Sequence, residues 1–174
     1  DRIKRAPETF HALADAGKLK WVNGIRYVSD PPGKNKERRS LGGGGVSTDA
    51  LIELVKSARK SLVMQTPYLI TTNLGQSLFR DAIKRGVDVR ILTNSMMSTD
   101  GLAAFAGYQR SREDLLTAGV KIFEFRPDAA VRTELMTGPP IPDAIFGLHA
   151  KTMVVDSEIL MVGTFNLDPR SANL

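Results

Sequence analysis

The chain has 174 residues, 42% hydrophobic and 25% charged, with no cysteine and two histidines, His11 and His149. That length supports one hydrophobic core without covalent or metal staples, and the composition excludes disulfides, thiol catalysis, Cys-ligated zinc and a multi-histidine metal site. No apolar run approaches the ~20 residues of a membrane-spanning helix, and the net charge of +5 sits wholly in residues 1–39, where ten Lys/Arg meet five Asp/Glu, while residues 40–174 hold fourteen of each.

Residues 1–46 read as a basic connector. Trp21, Val22, Ile25, Tyr27 and Val28 around Asn23-Gly24 predict a short hairpin. Asp30-Pro31-Pro32-Gly33-Lys34 breaks any regular element. The charged stretch to Arg39 and the run Gly42–Gly45 read as flexible linker. His11 reads as a surface residue of this connector.

From Ser47 a regular alternation begins, and 47–174 is taken as the folded domain. Leu51, Leu54, Val55 and Ala58 recur at helical spacing, with Ser47, Thr48 and Asp49 available as caps. Leu62–Gln65 is a short strand stopped by Pro67. Leu78, Phe79, Ala82 and Ile83 mark a helix ended by Gly86. Val87, Val89 and Ile91 alternate as the next strand. Leu102–Ala118 is helical up to Gly119, and Val120–Phe125 is a third strand. This order predicts an α/β class, a layered α-β-α sandwich. Residues 126–144, with four prolines, form a long loop of the kind that is often functional.

Phe146–Asp156 and Ile159–Asn166 are strand-like on either side of Ser157-Glu158. A hairpin centred there sets His149 opposite Asn166 and Lys151 opposite Thr164. His149 and Lys151 are alternate residues and share a face, and opposed side chains lie within about 5 Å at Cβ. An imidazole, an ammonium, a hydroxyl and a carboxamide would then converge. Lys151 supplies positive charge for a phosphodiester, Thr164 and Asn166 can donate to its oxygens, and His149 can attack phosphorus or carry a proton. A polar strand face wetted by solvent is the plainer reading of His-x-Lys alone. Asp156 has the other parity and points away.

The full spacing is His149-x-Lys151, four residues, Asp156, six residues, then Gly163-Thr164-x-Asn166. It resembles the HKD signature of the phospholipase D superfamily. Further segments extend the likeness: Thr66-Pro67-Tyr68, Arg85-Gly86-Val87 with the following strand to Ser95, Thr99-Asp100, Gly107-Tyr108, Leu115–Val120 and Phe165–Ser171. Together they resemble the second HKD half of bacterial cardiolipin synthases, nearest the C-type enzymes, over about residues 20–174. Asp30–Lys34 resembles the junction that follows the first half, which would account for an abrupt start at Asp1.

The resemblance implies a mixed sheet and a domain truncated at its C-terminal end. It implies a phosphatidyltransferase or phosphodiesterase that forms a phosphohistidine between paired HKD motifs, with no metal or other cofactor. Catalytic residues would be His149, Lys151 and Asp156, with Lys151, Thr164 and Asn166 holding phosphate and Asp156 in support. By analogy with two-motif relatives His149 is the general acid/base, and the nucleophile lies in the other half. That half would belong to the same parent chain or to a homodimer partner. A glutamate usual beyond the Arg-Ser segment would fall past Leu174. The implied substrate is a phospholipid, at the cytoplasmic face of the bacterial inner membrane and peripheral to it. The competing readings are a dimeric HKD endonuclease, which the neutral charge of 40–174 disfavours, and a folded but inactive fragment.

Candidate pocket-lining residues are Tyr68, at the end of the first strand, and Asn94 and Ser95, which with Thr93 follow the second. Tyr108, mid-helix, reads as packing. Met96 and Met97 could add to a lipid-facing surface, with core packing the plainer reading. The Gly42–Gly45 run lacks a Walker lysine and is not a phosphate loop.

Overall fold

The computed structural model describes residues 6–20, 22–32, 44–128 and 146–173. Three strands form where apolar residues alternate: β1 (Ser61–Gln65), β2 (Asp88–Asn94) and β3 (Lys121–Phe125). They pair in parallel, Leu62 beside Val89 and Ile91 beside Ile122. Parallel neighbours need a crossover, supplied by α3 (Asn73–Lys84) between β1 and β2 and by α4 (Leu102–Thr117) between β2 and β3; α2 (Val46–Ser57) leads into β1, and α1 (Ala6–Asp15) lies in the connector. A hairpin of β4 (Thr152–Val155) and β5 (Ile159–Val162) adds to the other side of β1, antiparallel, giving the order β3-β2-β1-β4-β5. The short helix α5 (Pro169–Asn173) follows. The α/β class and mixed sheet are those expected.

The core lies between the helices and one sheet face. Leu62, Met64, Val89, Ile91, Met153 and Val155 point there and meet Val55 of α2, Phe79 and Ala82 of α3, and Leu115 of α4. Fully burying such side chains stabilises by about 1.5–3 kcal/mol each. The alternate residues face the other way and, among the described residues, no helix covers them: Val63 is 41% exposed and Phe123 53%.

Glycine sets two of the helix ends as expected. Gly86 and Gly119 both take positive φ, 86° and 99°, immediately after helix C-termini. The start of α2 differs from expectation. Gly45, at φ 99°, is the N-cap and provides no side-chain bond. Asp30 Oδ1 instead accepts the Ser47 amide at 3.1 Å, so the connector caps this helix.

Three further expectations need correction. Among the described residues, which do not include Trp21, no hairpin forms about Asn23-Gly24: residues 22–30 have no regular structure, and Val22, Ile25 and Tyr27 are exposed. A two-stranded ribbon with no surface to bury its apolar face is marginal. The same connector does contain α1, which periodicity did not reveal. Residues 33–43, including Gly42 and Gly43 of the expected linker, and most of the loop from 126 to 144 lie outside the described residues.

The third correction concerns the β4–β5 register, which is one residue from the expected one. Thr152 pairs with Val162 and Val155 with Ile159, and Gly163 N–H donates to the Lys151 carbonyl at 3.1 Å. Lys151 is therefore opposite Gly163, not Thr164. The turn causes the slip. Asp156 and Ser157 both adopt left-handed φ, 54° and 61°, and the Glu158 amide closes on the Val155 carbonyl at 2.9 Å. The loop thus has an odd length, and a one-residue slip moves every side chain to the other face.

Asp156 accounts for that turn. Its carboxylate accepts the backbone amides of Arg59 (2.9 Å), Lys60 (2.7 Å) and Ser61 (2.8 Å), tying the hairpin to the start of β1. The amides of Ser61, Lys60 and Arg59 hold its pKa below the ordinary 3.8. A depressed carboxylate pKa contributes stability that is complete above the unfolded value and lost as pH falls through the folded one. Asp156→Asn is therefore expected to lower the thermal midpoint at pH 7, and the gap to wild type to close as pH drops below about 4. Thermal unfolding at a series of pH values checks this; a gap independent of pH would contradict it.

Candidate functional site

His149 and Lys151 lie just before β4, at the end of the sheet where β1 and β2 finish. Their backbone is pinned there by Asn94, the last residue of β2. The Asn94 Nδ2 donates to the Leu148 carbonyl at 2.9 Å and the Pro67 carbonyl at 3.3 Å, while its Oδ1 accepts the Leu148 amide at 2.7 Å. One buried carboxamide thus replaces a strand ladder across the end of β1. Gly147 completes the clamp. A Cβ there would overlap the Ser98 carbonyl oxygen, so only glycine lets the chain pass. Asn94 acts on backbone and is already fully engaged on the side facing Leu148.

Ser95 is likewise occupied. Its amide donates to Ser98 Oγ at 2.8 Å, and the Ser98 and Thr99 amides return to its carbonyl. Ser98 Oγ also donates to the Phe125 carbonyl at 3.2 Å. These bonds shape the β2–α4 turn. Met96 and Met97 project from it, 64% and 73% exposed, not into the core as expected, because they lie beyond the strand's end.

Tyr68, a candidate pocket residue, is brought to His149. The rings meet edge to face with centroids 6.3 Å apart. The Tyr68 hydroxyl donates to Asp100 Oδ1 at 2.7 Å. That bond, then burial, raises the Tyr68 pKa, so the phenol stays protonated. His149 is exposed, and its imidazole has no hydrogen-bond partner among the described residues. The Lys151 ammonium donates to the His149 carbonyl at 3.0 Å. Burial lowers the Lys151 pKa, while the charges of Asp100 and Asp168 raise it.

The remaining expected residues are placed differently. Thr164 is exposed beyond the end of β5. Asn166 is half-buried; its amide donates to Ser171 Oγ at 3.2 Å, and its Oδ1 is buried without a partner. It sits on the segment that crosses the end of β1, where Ile70 N–H donates to the Leu167 carbonyl at 2.7 Å. Asp156 is at the far end of β4, on the order of 20 Å from His149 at ~3.3 Å per residue. It cannot touch a ligand bound at the imidazole. Tyr108 is buried, with its hydroxyl on Glu124 Oε1 at 2.9 Å, a packing role as expected. His11 is exposed.

Two carboxylates at the site, Asp100 and Asp168, were not among the expected functional residues. Each follows the end of a strand, β2 or β5, and that position is the available sequence signal. A cavity of about 70 Å³ lies apart from the imidazole, between α2, α3 and residues 165–172, and is lined chiefly by apolar side chains with Asp168 among them.

Comparison with known proteins places this geometry in a family. The family described as cardiolipin synthase, PLD-like domain, matches residues 51–174. Cardiolipin synthase C of Escherichia coli K12 is 29% identical over 99% of this chain and 36% of its own length. Cardiolipin synthase A of Pectobacterium carotovorum is 34% identical over 84% of this chain and 24% of its own. The chain therefore spans about a third or less of these relatives. Among solved structures, the phospholipase D family member Nuc from Salmonella typhimurium aligns over 75% of this chain and 70% of its own at 20% identity, TM-score 0.51. Phosphatidylserine synthase from Haemophilus influenzae aligns over 74% and 29% at 17% identity, TM-score 0.52. These two share the fold. With the HKD spacing and the match across residues 51–174, the chain belongs to the phospholipase D-like domain family of cardiolipin synthase.

Proposed function

We propose that this chain is one HKD half of a phosphatidyltransferase that exchanges the alcohol of a phospholipid phosphodiester. The observation that carries the reading is the clamp. Asn94 and Gly147 hold an exposed imidazole and a neighbouring ammonium at the strand ends of a domain in the cardiolipin synthase family.

In this mechanism one HKD histidine attacks phosphorus and forms a phosphohistidine as the phosphorus–oxygen bond to the first alcohol breaks. The other histidine protonates that leaving oxygen, then takes the proton of the incoming alcohol as it attacks the phosphohistidine. We assign His149 the acid/base part. Lys151 neutralises a phosphoryl oxygen; Asn166 and Thr164, which lie beyond the end of the paired ladder, donate to the phosphate; and Asp156 acts through the hairpin turn. The nucleophile comes from a second HKD half, in the same parent chain or in a homodimer partner. No helix among the described residues is long and apolar enough to cross a membrane, and we place the reaction at the cytoplasmic membrane surface, reached peripherally.

The full-length protein that carries this chain, incubated with phosphatidylglycerol vesicles, is expected to release glycerol and form cardiolipin. Lipid mass spectrometry reads the product. Absence of any new phospholipid, with cleavage of plasmid DNA by the same preparation, would replace this reading with the nuclease one.

A further inference from the structure

A carboxylate acts through space on the ammonium that is to hold phosphate. Asp100 is exposed at the mouth of the site, and only one of its oxygens is used: Oδ1 accepts the Tyr68 hydroxyl at 2.7 Å. Oδ2 has no hydrogen-bond partner among the described residues. Its backbone is set by a tight turn, in which Thr99 Oγ1 accepts the Gly101 amide at 3.2 Å and donates to the Gly101 carbonyl at 3.3 Å. The Tyr68 ring packs against that turn, with Cε1 3.9 Å from where a Gly101 Cβ would be. The carboxylate is therefore fixed on one side by a phenol that also touches the His149 ring.

The local charges do not suit a bare anion. Asp100 and Asp168 both act through space on the single ammonium of Lys151. A phosphodiester held by Lys151 is repelled by each. A phosphodiester whose alcohol carries a further hydroxyl is in a different position, because a carboxylate accepts from a hydroxyl in a short, charge-assisted bond. The fixed Oδ1 and free Oδ2 of Asp100 provide such an acceptor on the phenol that meets the imidazole.

We propose that Asp100 is a specificity-determining residue that accepts a hydrogen bond from a free hydroxyl on the alcohol portion of the phosphodiester, selecting polyol over simple alcohol esters. This rests on the phosphodiester reading of His149 and Lys151. The chain can be titrated with glycerophosphoglycerol and with diethyl phosphate, two monoanionic diesters with and without hydroxyls, followed through the His149 imidazole resonances. Wild type is expected to bind the glycerol diester about tenfold more tightly. Asp100→Asn, at an exposed position that leaves the fold intact, is expected to bring the two affinities within about twofold. Asp168→Asn removes a like charge from around Lys151 and is expected to keep the preference. A preference that survives in Asp100→Asn, or that is lost equally in Asp168→Asn, overturns the assignment. Equal binding of both diesters by wild type overturns it too, while leaving the phosphodiester reading in place. No response of His149 to either diester overturns that reading and this one together.

Discussion

Asn94→Asp is expected to destabilise the protein by about 3 kcal/mol, although it changes a single NH₂ to oxygen. The native carboxamide donates to two carbonyls and accepts one amide. An aspartate could keep only the accepted bond. Its second oxygen would face the carbonyls of Leu148 and Pro67 at a position only 4% exposed, so the charge would be both unpaired and repelled. The segment leading into His149 would be released, and turnover is expected to fall with stability even in molecules that remain folded. Urea unfolding and activity at a permissive temperature measure the two effects. A midpoint equal to wild type would show that the clamp is not what holds this segment.

His149→Ala has the opposite profile. The side chain is exposed and makes no hydrogen bond with a described residue, so stability is expected to stay within about 0.5 kcal/mol of wild type. Turnover of a phosphodiester in the full-length protein is expected to drop by about a thousandfold or more, because a proton carrier contributes 10²–10⁴ and the second chemical step depends on it as well. KM is expected to change little, since Lys151 still supplies the phosphate-binding charge. Steady-state kinetics with a soluble chromogenic phosphodiester separates the two parameters. A rise in KM at constant kcat would make His149 a binding group only.

Much of this fold was legible because its signals are local. Val89 and Ile91 alternate on a strand, Leu54, Val55 and Ala58 recur on a helix, and Gly86 and Gly119 end helices by adopting positive φ, all from short stretches of chain. The HKD spacing was equally legible, as a string. What it could not convey was register. The expected hairpin assumed an even loop, whereas Asp156 and Ser157 turn left-handed under three amides from residues nearly a hundred positions away in the chain. Thr164 and Asn166 were consequently set on the wrong neighbours. The absence of a hairpin at Asn23-Gly24 has the same origin: turn chemistry was present, but no surface was there to receive the strands.

The site shows the same division. Tyr68 could be anticipated from its place after a strand. Asn94 could be placed there too, but its role could not, because it depends on Leu148 crossing the end of β1. Asp100 carried only its place after a strand as a local mark of function. Its significance comes from Tyr68 and the His149–Lys151 pair arriving from two other segments of chain.

The most direct test of the central claim is label exchange. The full-length protein is given unlabelled phosphatidylglycerol vesicles and isotopically labelled glycerol, and the lipids are recovered. Transfer through the His149 site predicts label in the phospholipid headgroup with wild type and none with His149→Ala. Phosphatidylglycerol hydrolysed to phosphatidic acid with neither labelled headgroup nor cardiolipin formed, or equal labelling by both proteins, would contradict it.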